Sequence, residues 1–207
     1  MSLLPNDATS LGPTPTASVL ALVTLGVLLV SDVVAVRLAS GRGQLVPRAS
    51  GDDRGSYLLI QVTTLAGLGL AIVAPQAWPG LRVAAPVGAV IAAGLALGWA
   101  GIALRVWSVL TLGRSFQRVV TVTEGQDVVT SGPYQYVRHP SYTGVLLGFL
   151  GVGMLIANWG SIAALVVLPA IGYVRRISVE EVALRRSLGD AYAAYADGKA
   201  RLVPGVW

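Results

Sequence analysis

The sequence predicts an all-α, polytopic integral membrane protein with about five transmembrane helices, and three observations lead there. Charged residues make up 12% of the 207, about half the share a soluble domain carries on its water-facing surface. Apolar runs recur that are long enough to cross a hydrocarbon core of ~30 Å as helices. Fourteen of the fifteen Lys and Arg residues, all but Arg82, fall within 37–56, 105–140 and 175–207. An odd number of spans with the amino terminus outside puts those three segments on one side. The bias of Lys and Arg towards cytoplasmic loops makes that side the cytoplasm. The net charge of +5 is then a topology signal, and no nucleic-acid partner is expected.

Residues 1–16, with three prolines and small polar residues, read as a disordered tail. No Lys or Arg precedes Arg37, so the basic start of a cleaved signal peptide is missing. Residues 17–112 read as a three-helix membrane part. Its runs are "ASVLALVTLGVLLVSDVVAV" (17–36), "YLLIQVTTLAGLGLAIVA" (57–74, ended by Pro75) and "VAAPVGAVIAAGLALGWAGIAL" (83–104, continuing towards 112). The Gly and Ala of the third run allow close helix packing, which matters where lipid supplies no net hydrophobic drive between helices. Asp32 interrupts the first run five residues before Arg37, which favours a solvated or paired position near the helix end over chemistry. Residues 113–207 read as a catalytic core: a cytoplasmic loop, a helical hairpin within 143–174 that turns at "ANWGS" (157–161), and a charged amphipathic helix over 175–197. Asn158 and Trp159 read as that turn and its interfacial anchor.

The chain has no cysteine and one histidine, which excludes disulfides, thiolate zinc, cysteine nucleophiles and multi-histidine metal sites. Two stretches carry candidate chemistry. In "GPYQYVRHPSYTG" (132–144), Gly132-Pro133 marks a turn and Pro140 suits the first turn of a helix. Arg138 and His139 therefore stand where free backbone N–H groups and the helix dipole favour anions. The plainer alternative makes Arg138 a snorkelling anchor and Tyr134, Tyr136 and Tyr142 an interfacial belt. In "RRISVEEVALRRSLGDAYAAY" (175–195), Arg176–Glu180 and Glu181–Arg185 are i,i+4 pairs, which on a solvated face contribute little. The two stretches share one aqueous layer. Together they present cations, carboxylates and aromatic faces to a ligand with both an anionic and a cationic part.

The pieces "GPYQYVRHPSYTG", "EE", "LGDAYAAY" and "RLVPG", in that order over roughly residues 99–207, resemble the isoprenylcysteine carboxyl methyltransferase family and its phospholipid methyltransferase relatives. The resemblance implies an integral-membrane methyltransferase that uses S-adenosylmethionine and releases S-adenosylhomocysteine, without a soluble Rossmann domain. It implies a cofactor pocket formed by Arg138, His139, Pro140, Tyr142, Glu180 and Glu181. Tyr134 joins that set, and Tyr134 or Tyr142 offers an aromatic face to the sulfonium or adenine. Arg138 and Glu181 are the residues expected to carry catalysis. Many relatives have a histidine before the "VVT" stretch, where this chain has Thr123, Glu124 and Gln126.

Glu180 or Glu181 suits the cofactor's ammonium. Arg138 suits either the acceptor's carboxylate or the cofactor's own, as a planar two-pronged donor. The acceptor is expected to be lipid-like and to arrive from the bilayer. A prenylcysteine carboxylate is favoured, and an amine phospholipid, with His139 or a glutamate as base, is the alternative. A transporter would need polar residues through the midplane, where Gln61, Thr63 and Thr64 are the main ones; a non-catalytic scaffold would work without its cofactor. Glu181→Ala is expected to weaken cofactor binding with the fold intact.

Overall fold

In the computed structural model, residues 14–40, 55–113, 128–205 and 207 are described. Five α-helices follow one another: α1 (Pro15–Ser40), α2 (Ser56–Ala77), α3 (Val87–Leu112), α4 (Pro140–Ile156) and α5 (Trp159–Ala196). The tail expected over 1–16 falls outside the described residues up to 13. From Pro15 the chain is already helical, because Thr14 Oγ1 accepts from the Ala17 N–H at 3.2 Å and Pro15 fits the first helical position. The stretch with Thr123, Glu124, Gln126 and the turn at Gly125 also lies outside the described residues.

Among the described residues, four helices are long and apolar enough to cross a membrane, and α4 is a shorter apolar helix of 17 residues, about 26 Å long. The protein is thus a multi-pass, all-helical membrane protein. The hairpin turn falls where expected. Ala157 takes a left-handed conformation (φ 57°) after α4, and Asn158 caps α5 by accepting from the Ser161 N–H at 3.2 Å. Trp159 stays half exposed beside that turn, as an interfacial anchor requires.

Two expected boundaries are corrected. Pro75 does not end α2, which runs on to Ala77. Proline has no N–H to give the carbonyl four residues back, but Ser161 Oγ donates to that carbonyl, Ala71 O, at 2.8 Å. The orphaned acceptor is satisfied from α5, so the helix continues. Nor is there a separate helix over 175–197. The second arm of the hairpin runs on into the charged segment without a break as far as Gly189, about 45 Å of helix, well beyond the hydrocarbon thickness. Its apolar part ends near Val174, and residues 175–196 project beyond the spanning part. Gly189, at φ 52° and ψ −130°, breaks its helical geometry and turns the last segment back.

Packing is led by α3 against α4 and α2 against α5, with α1 against α3 and α4. The α3–α4 seam is glycine on glycine. A Cβ at Gly144 would stand 2.7 Å from the backbone N of Arg105 and 2.8 Å from Gly101 O, and one at Gly151 would meet the backbone of Gly98. This is the close approach that small residues permit between membrane helices. Because the obstruction is backbone rather than a movable side chain, Gly151→Ala should lower stability by about 1–3 kcal/mol through overpacking. Thermal unfolding in detergent measures it, and an unchanged midpoint would contradict the seam.

Candidate functional site

The site is built at the start of α4. A short 3-10 turn, Gly132–Gln135, has Gly132 at φ 57°, a conformation that suits glycine. Two residues beyond Tyr136 the chain reaches Arg138 and His139, and Pro140 takes the first helical position. The expectation that free N–H groups face a ligand here is only partly met. The N–H groups of Arg138 and His139 donate to Ala200 O and Arg201 O, both at 2.9 Å, and Thr143 Oγ1 donates to Leu202 O at 2.8 Å. The "ARLVPGVW" segment therefore folds back over the mouth of α4 and caps it. Its fold is held by Leu202 N donating to Trp207 O at 2.9 Å and by the Arg201 guanidinium lying 4.9 Å from the Trp207 ring centroid.

Glu181 is the hub, its side chain 2% exposed. Its Oε1 meets Arg138 Nη1 at 2.8 Å, Arg201 Nε at 3.2 Å and His139 Nε2 at 3.3 Å. Its Oε2 receives Arg201 Nη2 at 3.3 Å and Arg185 Nη2 at 3.4 Å. Burial alone would raise its pKa. The hydrogen bonds from His139 and Arg201 and the charge of Arg138 outweigh that and hold the carboxyl at about 2. Three guanidiniums on one carboxylate leave the corner with surplus positive charge.

Glu180 is differently placed, with its side chain 29% exposed. Tyr142 Oη donates to Glu180 Oε2 at 2.6 Å, and Arg176 Nε donates to Tyr142 Oη at 3.3 Å. The Tyr142 ring stacks on His139, with centroids 5.6 Å apart and planes 8° from parallel, and lies 4.9 Å from the Tyr173 ring. Tyr134 turns elsewhere: it is buried, its hydroxyl donates to Ser108 O at 3.4 Å, and its carbonyl accepts from Tyr195 Oη at 2.9 Å. Burial pushes its hydroxyl pKa up. It braces the 3-10 turn against α3, and the charge of Glu180 also acts on its hydroxyl. Arg138, His139, Pro140, Tyr142, Glu180 and Glu181 do come together.

Sequence reasoning misplaced one residue and passed over others. Arg176 is not on a solvated face. It is 2% exposed, donates to Ser56 Oγ at 3.3 Å, and stands 3.9 Å from Glu180. A usable signal was the helical spacing of Tyr173, Arg176, Ile177 and Glu180 along one stripe of α5. Glu181 and Arg185 do pair, but the glutamate is buried and not a surface partner. Arg201 was visible only as the charge in "RLVPG". Asp32 is paired, as favoured, and its partner is Arg105 on α3, whose Nε and Nη2 donate to Asp32 Oδ1 at 2.9 and 2.7 Å and whose Nη1 reaches Ser141 Oγ. Among the described residues, two buried side-chain polar atoms have no hydrogen-bond partner, Arg138 Nε and Tyr192 Oη. No group of three or more His, Cys, Asp and Glu placed to hold a metal occurs among the described residues.

Comparison with known proteins bears on this arrangement. Residues 94–186 match the model of the isoprenylcysteine carboxyl methyltransferase (ICMT) family. The chain is 34% identical over 113 residues to protein-S-isoprenylcysteine O-methyltransferase A of Arabidopsis thaliana, covering 54% of this chain and 57% of that one. It is 36% identical over 94 residues to protein-S-isoprenylcysteine O-methyltransferase of Schizosaccharomyces pombe, covering 44% and 40%. It thus spans about half the length of these relatives. Its fold is similar to that of the eukaryotic intramembrane Ras methyltransferase ICMT, with a TM-score of 0.69 at 19% identity, covering 93% of this chain and 69% of that one. Over residues 94–186, which supply most of α3, all of α4 and the cluster around Arg138, Tyr142, Glu180 and Glu181, the chain is similar to the isoprenylcysteine carboxyl methyltransferase family.

Proposed function

We propose that the protein is an S-adenosylmethionine-dependent methyltransferase that esterifies the carboxylate of an isoprenylcysteine-type acceptor presented from the bilayer. One observation carries this reading: at the mouth of α4, four guanidiniums (Arg138, Arg176, Arg185, Arg201) surround two carboxylates, Glu180 and Glu181. The excess of fixed positive charge suits an anionic reactant, and lipid-facing helices lead up to it.

The residues present fit the cofactor. Arg138 keeps a buried, unused Nε–H, Glu180 keeps an accessible carboxylate, and His139 and Tyr142 form a stacked pair of rings. Glu180, rather than the saturated Glu181, is the residue to take an ammonium, and the Tyr142 ring offers a π face to a cation. When bound, S-adenosylmethionine supplies a methyl group on an electron-poor sulfonium. A carboxylate acceptor needs no proton removed, so the chain's task is aiming. Glu181 fixes Arg138, and Arg138 presents donors in a plane that matches a carboxylate. Ala200, Arg201 and Leu202 cover the mouth of α4, and a site with less water strengthens each charge interaction inside. The cytoplasm is the side assigned to the cluster by the Lys and Arg distribution.

His139 beside Glu181 is the one feature favouring an amine acceptor, which would need a base. Its position argues against that role: it is 5% exposed, stacked on Tyr142 and committed to Glu181. Membranes containing the protein, incubated with methyl-labelled S-adenosylmethionine and a prenylcysteine analogue, should yield lipid-extractable label that mild base releases as methanol. Base-stable label would replace the ester by an amine, and no transfer to either acceptor would sink the enzyme reading.

A further inference from the structure

Among the described residues, Arg138 Nε and Tyr192 Oη are the buried side-chain polar atoms left without a partner, and they belong to one corner of the molecule. The charges of Glu181, Glu180 and Arg138 all act on the Tyr192 hydroxyl. Tyr192 is 3% exposed and lies three residues beyond the break at Gly189, which returns this part of α5 to the cluster. Its ring packs 5.9 Å from that of Tyr195, whose hydroxyl is itself fixed on Tyr134 O at 2.9 Å. The ring is therefore held from the side while its polar end is left unused.

Folded chains retain few buried polar atoms without partners, because each forfeits its hydrogen bonds to water. Both atoms can donate. A guanidinium Nε–H can only donate. Burial, followed by the charges of Glu181 and Glu180, raises the Tyr192 pKa, so its hydroxyl keeps its proton and can donate too. Two unused donors, one of them on a guanidinium, match a group with two acceptor oxygens, such as a carboxylate.

We infer that Tyr192 Oη and Arg138 Nε form a donor pair that receives a ligand carboxylate, with Tyr192 a binding residue of the site. This rests on the methyltransferase reading, which supplies two carboxylates: that of the cofactor's amino-acid end and that of the acceptor.

Tyr192→Phe in the full chain in detergent tests it, since the substitution removes one oxygen and keeps the ring. Because the hydroxyl has no partner without ligand, the thermal midpoint of the ligand-free variant should equal or exceed that of the wild type. Binding of a carboxylate to this hydroxyl should weaken about tenfold, the scale of one hydrogen bond to a charged group. A tenfold loss in S-adenosylhomocysteine affinity by calorimetry assigns the pair to the cofactor. An unchanged affinity with a tenfold higher KM for a prenylcysteine acceptor assigns it to the acceptor. Unchanged affinity and KM, or a lowered ligand-free midpoint, would overturn the assignment, the latter because the hydroxyl would then have a structural partner. Wild-type protein is the control that separates the two readings. If it binds no S-adenosylhomocysteine and transfers no methyl group, the methyltransferase reading fails and takes this one with it. If it does both and the variant matches it, only Tyr192 is removed.

Discussion

Glu181→Gln should lower stability at neutral pH by about 3–5 kcal/mol, the usual cost of removing one partner from a buried ion pair. Glutamine keeps the volume and an acceptor oxygen but cancels the charge that faces Arg138, Arg201, Arg185 and His139. The Arg138 side chain is only 12% exposed, so its cation would be left among like charges with little access to water. The expectation from sequence alone was that Glu181→Ala weakens cofactor binding with the fold intact. Burial of the carboxylate changes that. The pH dependence follows from the depressed pKa. A carboxyl held at about 2 against an ordinary 4.5 contributes stability that is complete above about 4.5 and lost as pH falls towards 2. The wild type should therefore lose thermal stability across that window, and the variant should lack this component. Thermal unfolding in detergent at pH 7 and pH 3 measures both. Equal midpoints for the two proteins at pH 7 would mean that the cluster is not held by Glu181.

The membrane helices were legible in the sequence because span length, charge depletion and the placement of Lys and Arg act over whole segments. The hairpin at Ala157–Asn158 was legible because a polar pair interrupts an apolar block. What escaped depends on pairings between distant residues. Pro75 reads locally as a helix end, and only Ser161, ninety positions after the Ala71 carbonyl it reaches, supplies the hydroxyl that lets α2 continue. Arg176 reads as the partner of a surface glutamate, since i,i+4 spacing is the same on a solvated face and a buried one. The motif "RHPSY" with "EE" pointed to residues that the fold brings together, but composition cannot distinguish Glu180 from Glu181. Burial does: one is accessible to a ligand and the other is surrounded by the chain's own cations. Arg201 and Tyr192 join the cluster through the fold-back at Gly189 and the capping segment, which no periodicity announces.

Arg105→Met should be about as damaging to stability as loss of Glu181, and pairing it with Asp32→Asn should recover most of the loss. Arg105 and Asp32 lie 73 residues apart, on α3 and α1, yet meet at 2.7 Å with the guanidinium side chain 9% exposed. Removing the guanidinium takes one partner away from an ion pair between membrane helices, at a cost of about 3–5 kcal/mol. Removing both charges withdraws both desolvation penalties, and buried pairs exchanged for neutral side chains are often close to neutral in stability. A double-mutant cycle on thermal unfolding should show strong coupling, since contacting residues do not add; purely additive losses would mean that the pair is not coupled. Activity should separate from stability in the same cycle. Arg105 Nη1 also holds Ser141, beside Tyr142 and two residues from His139. The double variant regains its neutral packing but not that hold. It should fold near wild-type stability and still methylate more slowly, because Tyr142 loses part of the support that sets its hydroxyl on Glu180. Full recovery of both stability and rate would show that Arg105 only neutralises Asp32 and does not position the start of α4.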